Sequence, residues 1–429
     1  MRLATASMGA RRWASRAFAA FSAFAALAAL VALSGCGSKD VQPTRIRGTT
    51  LTIYVSVPLL GPSRVSGEAV VDGAEIAVGQ LRDRIGKYHI ELRALNDATA
   101  QRQGWDPGQT TIDTRIAVLD PTTIGYVGDL NSGASAVSIP PLNRAGIPQV
   151  SPTSSAVGLT SGAAGANPGE PLKYYPTGVR TFARVVPNDS VQAIAQVRVQ
   201  QDMGCTRVYV LNDGEVDGAD AARSYEVAAL SAKLRTVGFQ TFPRDATSYQ
   251  ALARGVAQTR PDCILIAADT ESGAVLLTTQ LAAEMPDVKI FGTAGLSEST
   301  YFDPLENGIP LGVEPNVILT APTLGVADYP ASARAFIATY QRRYGPPEPD
   351  AILGYEAMSL LLDAITRATN HGTGPAVRSQ VRDAIFATRN RHSVLGTYSI
   401  DARGDTSLNR YGVYRVVAGG LRFLKTVRG

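Results

Sequence analysis

Apolar strands alternate with amphipathic helices along most of this chain, and that alternation leaves few possible folds. Residues 51–59, LTIYVSVPL, have the composition of a buried strand. An apolar stripe then follows at spacings of four, three, four and four residues and predicts a helix. The stripe comprises Val70, Ala74, Ala77, Leu81 and Ile85. This alternation favours parallel sheets that helices cover on both faces.

Two successive sets of such elements predict an α/β fold with two doubly wound parallel sheets. Further strands of the first set are predicted at 89–95, 123–128 and 147–151, and those of the second at 207–212, 239–244, 263–268 and 289–294. Helices of the second set are predicted at 218–237, 247–259 and 272–284. A strand near 315–321, helices near 328–343, 350–369 and 375–388, and strands at 396–401 and 411–417 follow. The joint between the two units is predicted near 178–190.

The first 35 residues predict an export signal. They contain no acid, carry Arg2, Arg11, Arg12 and Arg16, and run into the apolar segment AFAAFSAFAALAALVAL. The alternative is an N-terminal membrane anchor. Small residues at 34 and 35, followed at once by Cys36, resemble the lipobox of bacterial lipoproteins. That resemblance implies a signal peptide at 1–35 and lipidation of Cys36. It also implies a tether at 36–48 and an extracytoplasmic location at the cell membrane.

The charge of the chain belongs to this leader. The whole sequence has 41 basic and 37 acidic residues, and without the four leader arginines 37 basic residues face 37 acidic ones. The mature protein is therefore near neutral, and nothing in its charge predicts nucleic-acid binding.

Residues 128–135, GDLNSGAS, suggest an anion site at a strand-to-helix turn. The segment lacks the G-K-[ST] ending of a phosphate loop. Small hydroxyl residues at such a turn still present free backbone N–H groups to an anion, and a carboxylate would serve as well as a phosphate. Glu271 follows the apolar strand 263–268, at a turn where open parallel sheets bind ligands.

No pattern predicts a metal, a cofactor or an enzyme. Asp213, Glu215 and Asp217 resemble the start of a calcium loop, but Ser224 stands where a bidentate acid is needed. The three histidines have no metal-ligand spacing, and no G-x-S-x-G motif is present. An extracellular hydrolase would need a catalytic constellation that the sequence does not supply.

Five segments in this order carry a resemblance that covers nearly all of residues 50–425. They are VSVPLLGPSRVSGEAVVDGAEIAV, YVGDLNSGASAVSIPPLNRAGIPQVSPTSSAVGLT, FARVVPNDS, YEAMSLLLDAI and GTYSIDARGDTSLNRYGVYRV. The chain resembles the extracellular solute-binding proteins of ABC transporters, with the type I fold of the leucine/isoleucine/valine-binding family. The resemblance implies two lobes joined by three crossings, with hinge closure over a ligand. Lobe 1 would hold 49–184 and 296–396, and lobe 2 would hold 185–295 and 397–429.

The resemblance also implies a ligand site between the lobes. Ser132 and the turn at Gly133 would hold a ligand carboxylate, and Thr153 and Ser155 would complete the contacts of lobe 1. Glu271 of lobe 2 would meet an α-ammonium, so that both ends of a zwitterion are matched.

Three further positions bear on the ligand. Tyr249, at the start of the predicted helix 247–259, is a further candidate of lobe 2. Ser66 and Asp217 stand where the family often has aromatic residues that face the ligand. Two lost aromatics and one added acid suit a more polar ligand, or an additional cation, better than a plain aliphatic side chain.

Cys205 and Cys263 remain once Cys36 is assigned to lipidation, in a compartment where disulfides persist. In the doubly wound lobe that the resemblance implies, the first and third strands lie side by side. Both cysteines lie just before those two strands, so we expect a disulfide between them.

The sequence as a whole predicts a lipid-anchored binding protein that captures an amino acid or similar small polar solute. It would deliver this ligand to the membrane permease of an ABC transporter. The alternative is a ligand-sensing or envelope-assembly lipoprotein with the same fold. Ser132, Ser155 and Glu271 together favour solute binding, because an assembly factor need not keep such a pocket.

Overall fold

Two sheets organise the part of the chain that the computed structural model describes, residues 45–244 and 246–429. The predicted leader 1–35, Cys36 and most of the predicted tether lie outside these residues. Within them, no helix combines the length and the apolarity that a membrane crossing requires.

The secondary structure follows the predicted alternation. The strands are β1 Thr50–Val57, β2 Arg84–Ile85, β3 Tyr88–Asn96, β4 Ala98–Thr99, β5 Gly104–Trp105, β6 Thr123–Gly128, β7 Gln149–Ser151, β8 Phe182–Arg184, β9 Arg207–Asn212, β10 Arg235–Thr241, β11 Cys263–Ala267, β12 Lys289–Gly292, β13 Val317–Ala321, β14 Arg391–His392, β15 Thr397–Tyr398, β16 Arg410–Val417 and β17 Gly420–Arg428. The helices are α1 Arg64–Gln80, α2 Pro107–Leu119, α3 Ser132–Arg144, α4 Asp189–Asp202, α5 Val216–Ser231, α6 Gln250–Gln258, α7 Ala274–Glu284, α8 Ser299–Phe302, α9 Ala331–Tyr344, α10 Ala351–Ala368 and α11 Arg378–Phe386.

The first sheet has six strands in the order β2-β3-β1-β6-β7-β8, and all its pairs except β2 with β3 are parallel. Strand β1 lies at its centre and is buried from Leu51 to Val57, because nearly every side chain of this strand is apolar or small. Helices α1 and α10 pack their apolar faces on this sheet in one core. We call the elements around this sheet lobe 1.

The second sheet has seven strands in the order β10-β9-β11-β12-β13-β16-β17. Its pairs are parallel from β10 to β13, and β16 and β17 add an antiparallel edge. Apolar clusters cover both of its faces. We call the elements around this sheet lobe 2. The predicted α/β class with two doubly wound parallel sheets is confirmed.

Several predicted boundaries differ from the structure. Residues 296–321 were assigned to lobe 1, but β13 pairs with β12 and β16 in the second sheet. Residues 397–408 were assigned to lobe 2, but Tyr398, Ile400 and Leu408 pack in the core of lobe 1. The predicted helix 218–237 ends at Ser231, and β10 starts earlier than the predicted strand 239–244, at Arg235. Apolar periodicity marks an element but does not tell which of two sheets receives it.

An ion pair joins two segments that connect the lobes. The Arg184 guanidinium is fully buried at the end of β8 and lies 2.7 Å from the Asp405 carboxylate. It also donates to the carbonyl oxygens of Ser154 and Ala156. Its other hydrogen bonds fill the donor set that a buried guanidinium requires. The connection that follows β8 and the connection between β15 and β16 are therefore fastened to each other.

A disulfide joins Cys205 to Cys263, as expected, with a Cα–Cα distance of 5.8 Å. Parallel strands β9 and β11 bring the two residues together, because Cys263 pairs with Val208 in the register of the sheet. The bond thus ties the starts of two central strands of lobe 2.

Removing this disulfide should lower the melting temperature. The bond closes a loop of 58 residues, for which the chain-entropy relation gives about 4 kcal/mol as an upper figure. We expect the Cys205→Ala/Cys263→Ala variant to melt several degrees below the wild type in calorimetry. Reduction of the wild type should have a similar effect and should leave the variant unchanged. Equal melting temperatures for the variant and the oxidised wild type would contradict the prediction.

Candidate functional site

A cavity lies between the two lobes, at the carboxyl ends of their strands. It measures ≈ 70 Å³. Its walls come from the segments that follow β1, β6, β7 and β8 on one side and β9, β11, β12 and β13 on the other, with Asp350 before α10. Ligands of open parallel sheets bind at this end of the strands. The cavity is therefore the candidate binding site.

Four of the eight predicted site residues line this cavity, namely Ser66, Thr153, Ser155 and Asp217. The other four, Ser132, Gly133, Glu271 and Tyr249, lie outside its lining. Each of these four has partners within the protein, and these partners explain the difference.

Ser132 binds a carboxylate that belongs to the protein itself. The Ser132 backbone N–H donates to both carboxylate oxygens of Asp217, at 2.9 and 2.8 Å. The Ser132 hydroxyl and the Gly133 backbone N–H lower the pKa of Asp217, although burial raises that pKa more strongly, to about 6. Asn131, which precedes α3, makes no side-chain cap. Asp217 of lobe 2 therefore caps α3 of lobe 1 and fills the anion site predicted there.

Close packing of α5 against its own sheet brings Asp217 to this position. Gly218 follows it in the first turn of α5, and a Cβ at Gly218 would lie 2.4 Å from the Ala267 carbonyl oxygen of β11 and 2.2 Å from Asp213 Oδ1. Only glycine allows the backbone to approach the end of β11 so closely.

Glu271 faces lobe 1 beside the cavity. Its Oε2 accepts from the Ser63 hydroxyl at 2.7 Å, and its Oε1 is buried without a hydrogen-bond partner. The side chain packs against Gly104, where a Cβ would lie 2.6 Å from Oε1. The contact with a ligand ammonium that was predicted for Glu271 stays a prediction, since Ser63 engages Oε2 in this arrangement and Oε1 has no hydrogen-bond partner.

Tyr249 belongs to the core of lobe 2. Its hydroxyl donates to the Pro243 carbonyl oxygen at 2.6 Å, and its ring packs edge-on against Phe242. Among the predicted lobe 1 contacts, the Thr153 hydroxyl donates to the Leu130 carbonyl oxygen at 2.6 Å. The Ser155 carbonyl oxygen accepts from the Asp189 backbone N–H at 2.9 Å.

Four acids that the sequence analysis did not single out also line the cavity, and with Asp217 they make five. They are Asp189, Asp269, Glu298 and Asp350. No lysine, arginine, histidine or aromatic residue belongs to the described lining. One signal could have found Asp269, since it follows β11 by two residues in the same turn as Glu271. Glu298 and Asp350 lie farther from strand ends, and only the folded chain brings them together.

Burial raises the pKa of each of these five acids. The pKa of Glu298 reaches about 8, with the neighbouring Glu271 as the second cause, and that of Asp350 reaches about 7. The pKa values of Asp189 and Asp269 rise well above the usual range through burial and through neighbouring carboxyls. Desolvated carboxylates close to one another cannot all ionise without a cation.

Two serine hydroxyls of the α1 N-terminus serve three of the carboxyls around the cleft. Ser63 lies 2.7 Å from Glu271 Oε2 and 3.1 Å from Glu298 Oε1, and Ser66 lowers the pKa of both Glu298 and Asp350. One hydroxyl donates a single hydrogen. The Thr270 hydroxyl also lowers the pKa of Glu298, so three hydroxyls, each with one hydrogen, face these three carboxyls.

A hairpin of lobe 1 holds the lobes together at the rim. Arg102, between β4 and β5, contacts Glu215 of lobe 2 at 2.6 Å, and Arg244 of lobe 2 donates to the Arg102 carbonyl oxygen at 2.7 Å. Arg244 also contacts Glu215 at 3.2 Å. The three acids of the rejected calcium loop thus separate, since Glu215 binds arginines, Asp217 caps α3 and Asp213 accepts from the Asp269 backbone N–H.

The structure has two doubly wound lobes with a polar cavity between them, and hydrogen bonds between the lobes close this cavity. This arrangement is that of a protein that binds a small solute. The sequence profile of the family described as "Periplasmic binding protein" matches residues 50–420, and the chain belongs to this family. The protein is therefore a substrate-binding protein and not an enzyme, as predicted.

Curated relatives agree with this assignment. The chain is 22% identical over 374 residues to the Leu/Ile/Val-binding protein BraC3 of Rhizobium johnstonii, which covers 86% of this chain and 92% of the relative. It is also 22% identical over 368 residues to the Leu/Ile/Val-binding protein homolog 3 of Brucella melitensis, with coverage of 85% and 91%.

Solved structures share the fold. The leucine-binding protein LivK of Thermotoga maritima superposes with a TM-score of 0.76 at 21% identity, over 88% of this chain and 99% of that chain. LivJ of Streptococcus pneumoniae, in complex with isoleucine, gives a TM-score of 0.71 at 19% identity, with coverage of 89% and 100%. A solute-binding protein of R. palustris in complex with benzoate gives 0.71 at 18% identity, with coverage of 89% and 97%.

Raising the pH should destabilise the ligand-free protein. The pKa values of about 6, 7 and 8 for Asp217, Asp350 and Glu298 lie above the value of roughly 4 expected in the unfolded chain. At pH values between the unfolded pKa and these raised pKa values, the folded protein binds more protons than the unfolded chain. The free energy of unfolding therefore falls as pH rises through this range. We expect the melting temperature to decrease from pH 5 to pH 8.5. The Glu298→Gln variant should decrease less, and the exposed-site control Asp287→Asn should follow the wild type. A melting temperature that rises over this range would contradict the assignment.

Loss of the Asp217 carboxylate should loosen the first turn of α3. An N-cap is worth about 1 kcal/mol, which corresponds to about fivefold in a local opening equilibrium. We expect Asp217→Ala to speed hydrogen exchange in a peptide covering residues 129–136 by about that factor. Asp202→Ala, at an exposed site of lobe 2, should leave this peptide unchanged. Equal exchange in Asp217→Ala and the wild type would show that Asp217 does not cap the helix.

Proposed function

We propose that this protein is a lipid-anchored extracytoplasmic receptor that captures an amino acid or similar small polar solute between its lobes. It then delivers the solute to the permease of an ABC transporter. The observation that carries the proposal is the cavity between the lobes, whose walls combine polar groups from both. Only a closed pair of lobes completes such a site, and closure is the signal that a permease can read.

The relatives support this role. The relatives of Rhizobium johnstonii and Brucella melitensis are a Leu/Ile/Val-binding protein and a Leu/Ile/Val-binding protein homolog, and two of the superposed structures hold isoleucine and benzoate. The cavity lining of this chain is more polar than a site for an aliphatic or aromatic side chain would be. It has five acids and no aromatic residue among the described residues, with Leu130, Pro322 and three alanines as its apolar part. A polar solute suits these walls better than a plain aliphatic or aromatic one.

The N-terminal sequence supports attachment to the membrane. The leader 1–35 and Cys36 predict a diacylglycerol on the cysteine and a further acyl chain on its amine. Two chains hold a protein durably, whereas one holds it only marginally. The segment from Cys36 to Thr50, where β1 begins, would let the lobes reach a permease in the same membrane.

A ligand panel tests the binding function. The exported protein should be melted with amino acids, amides, amines, small peptides and organic acids, one at a time. A true ligand at 100 times its dissociation constant adds about 2.7 kcal/mol to the stability of the folded state. We expect at least one polar, nitrogen-containing member to raise the melting temperature.

A cavity variant provides the control for that panel. Ala294 lines the cavity, so Ala294→Phe should fill it and abolish the shift. Ala232→Phe, at an exposed position outside the cavity, should keep the shift. A panel in which no member raises the melting temperature would count against solute binding.

A further inference from the structure

We propose that the solute bound by this cleft is a small organic cation, an amine or diamine that carries no carboxylate. This inference rests on the proposed solute-binding function and narrows it to one chemical class. Three separate features of the cavity point to this class. The charged side chains of its described lining are all acidic, some of its buried hydrogen-bond acceptors have no donor, and its predicted anion site is already occupied.

The walls of the cavity have one sign of charge. Asp189, Asp269 and Glu298 are 1%, 6% and 5% exposed, and Asp217 and Asp350 complete the five acids of the lining. No basic side chain belongs to the described lining. The nearby Arg102 and Arg244 are engaged with Glu215 at the rim. Buried carboxyls can ionise only beside a partner of opposite charge, and the walls do not provide one.

Buried acceptors of the cavity also lack donors. Asn131 Nδ2 donates to Asp269 Oδ2 at 3.0 Å, and this contact fixes the orientation of the amide, since its oxygen could not face a carboxylate. Asn131 Oδ1 is then a buried acceptor without a partner, on a side chain that is 4% exposed and lines the cavity. The carboxylate oxygens of Asp189 likewise lack a hydrogen bond of normal geometry, although Ser155 and the Asp220 carboxyl face them. An ammonium group offers three donors and no acceptor.

The anion site predicted for a ligand carboxylate is already occupied by a side chain of the protein. The N-terminus of α3 is the anion site of this fold that the sequence predicted, and the Asp217 carboxylate occupies it through Ser132. A zwitterionic amino acid would have to displace Asp217 or set its own carboxylate against the acids of the wall. Like charges in a desolvated site repel strongly. An amine without a carboxylate avoids both costs.

The spacing of the acids favours an organic cation over a metal ion. Among residues 45–244 and 246–429, the one group of three metal-type ligands with atoms within 4.8 Å of one another is Cys205, Asp262 and Cys263, which includes the disulfide. No three of the described cavity acids form such a group, whereas calcium binds six to eight oxygens at about 2.3–2.6 Å. Carboxyls that do not converge on one point suit a chain with nitrogen at its ends better than a single ion.

The size of the cavity favours a compact ligand. Its ≈ 70 Å³ is well below the roughly 300–1,000 Å³ of sites for drug-sized molecules. Leu130, Ala221 and Pro322 provide apolar surface between the acids, against which methylene groups can pack.

Pairs of compounds that differ only by one carboxylate test this inference on the exported wild-type protein. We expect 1,5-diaminopentane to bind at least tenfold more tightly than lysine, and 3-methylbutylamine at least tenfold more tightly than leucine, in calorimetric titrations. Amino acids that bind as tightly as their amines would overturn the inference while leaving the solute-binding function intact. Failure of every amine, amino acid and amide would overturn both. A rise in melting temperature with calcium chloride alone, and with no amine, would overturn the organic cation in favour of a metal.

Two substitutions sharpen the test. Asp269→Asn should weaken 1,5-diaminopentane binding at least tenfold, whereas Asp287→Asn, at an exposed site, should not change it. Asp217→Ala should free the N–H groups of Ser132 and Gly133 and reduce the preference for 1,5-diaminopentane over lysine at least tenfold. An unchanged preference in a folded Asp217→Ala variant would contradict the occupied anion site. The wild-type pairs decide the ligand class even where a variant fails to fold.

Discussion

The contact between the Asp217 carboxylate and the N-terminus of α3 is the interaction on which the rest of the site depends. It joins the lobes, because the acid starts α5 of lobe 2 and the N–H groups belong to lobe 1. It caps a helix that its own Asn131 leaves uncapped. Because Asp217 occupies the backbone N–H groups at this helix end, a ligand anion cannot bind them. The polar groups that the cleft leaves for a ligand are then hydrogen-bond acceptors.

In a closed cleft of this composition, the charge of the acids is coupled to the closure of the two lobes. Five acids meet around one cavity, with Ser63 and Ser66 as shared donors and Arg184, Arg102 and Arg244 engaged elsewhere. Burial raises the pKa values of these acids, so that without a ligand protons neutralise part of their charge. A bound cation would replace those protons. The closure of the lobes, the release of protons from the acids and the binding of the cation would then be linked equilibria.

Local patterns predicted much of this molecule, and the contacts between lobes account for what they missed. Burial and periodicity along the chain are local, so strands such as β1 and β11 and the doubly wound class could be predicted, and the Cys205–Cys263 pairing followed from that fold. The sheet that receives β13 depends on pairing across a connection, which no local pattern encodes. Glu271 was predicted at the ligand from its turn and from the family resemblance, but neither could indicate that Ser63 and Gly104, more than 160 residues earlier, contact its side chain.

A crystal structure of the exported protein with the solute that it retains from its host tests the central claim most directly. The account predicts that Asp217 stays within hydrogen-bond distance of the Ser132 and Gly133 N–H groups. It also predicts a ligand nitrogen within about 3 Å of a carboxylate oxygen of Asp269 or Asp189. A ligand carboxylate seated on Ser132, with Asp217 displaced from α3, would contradict it.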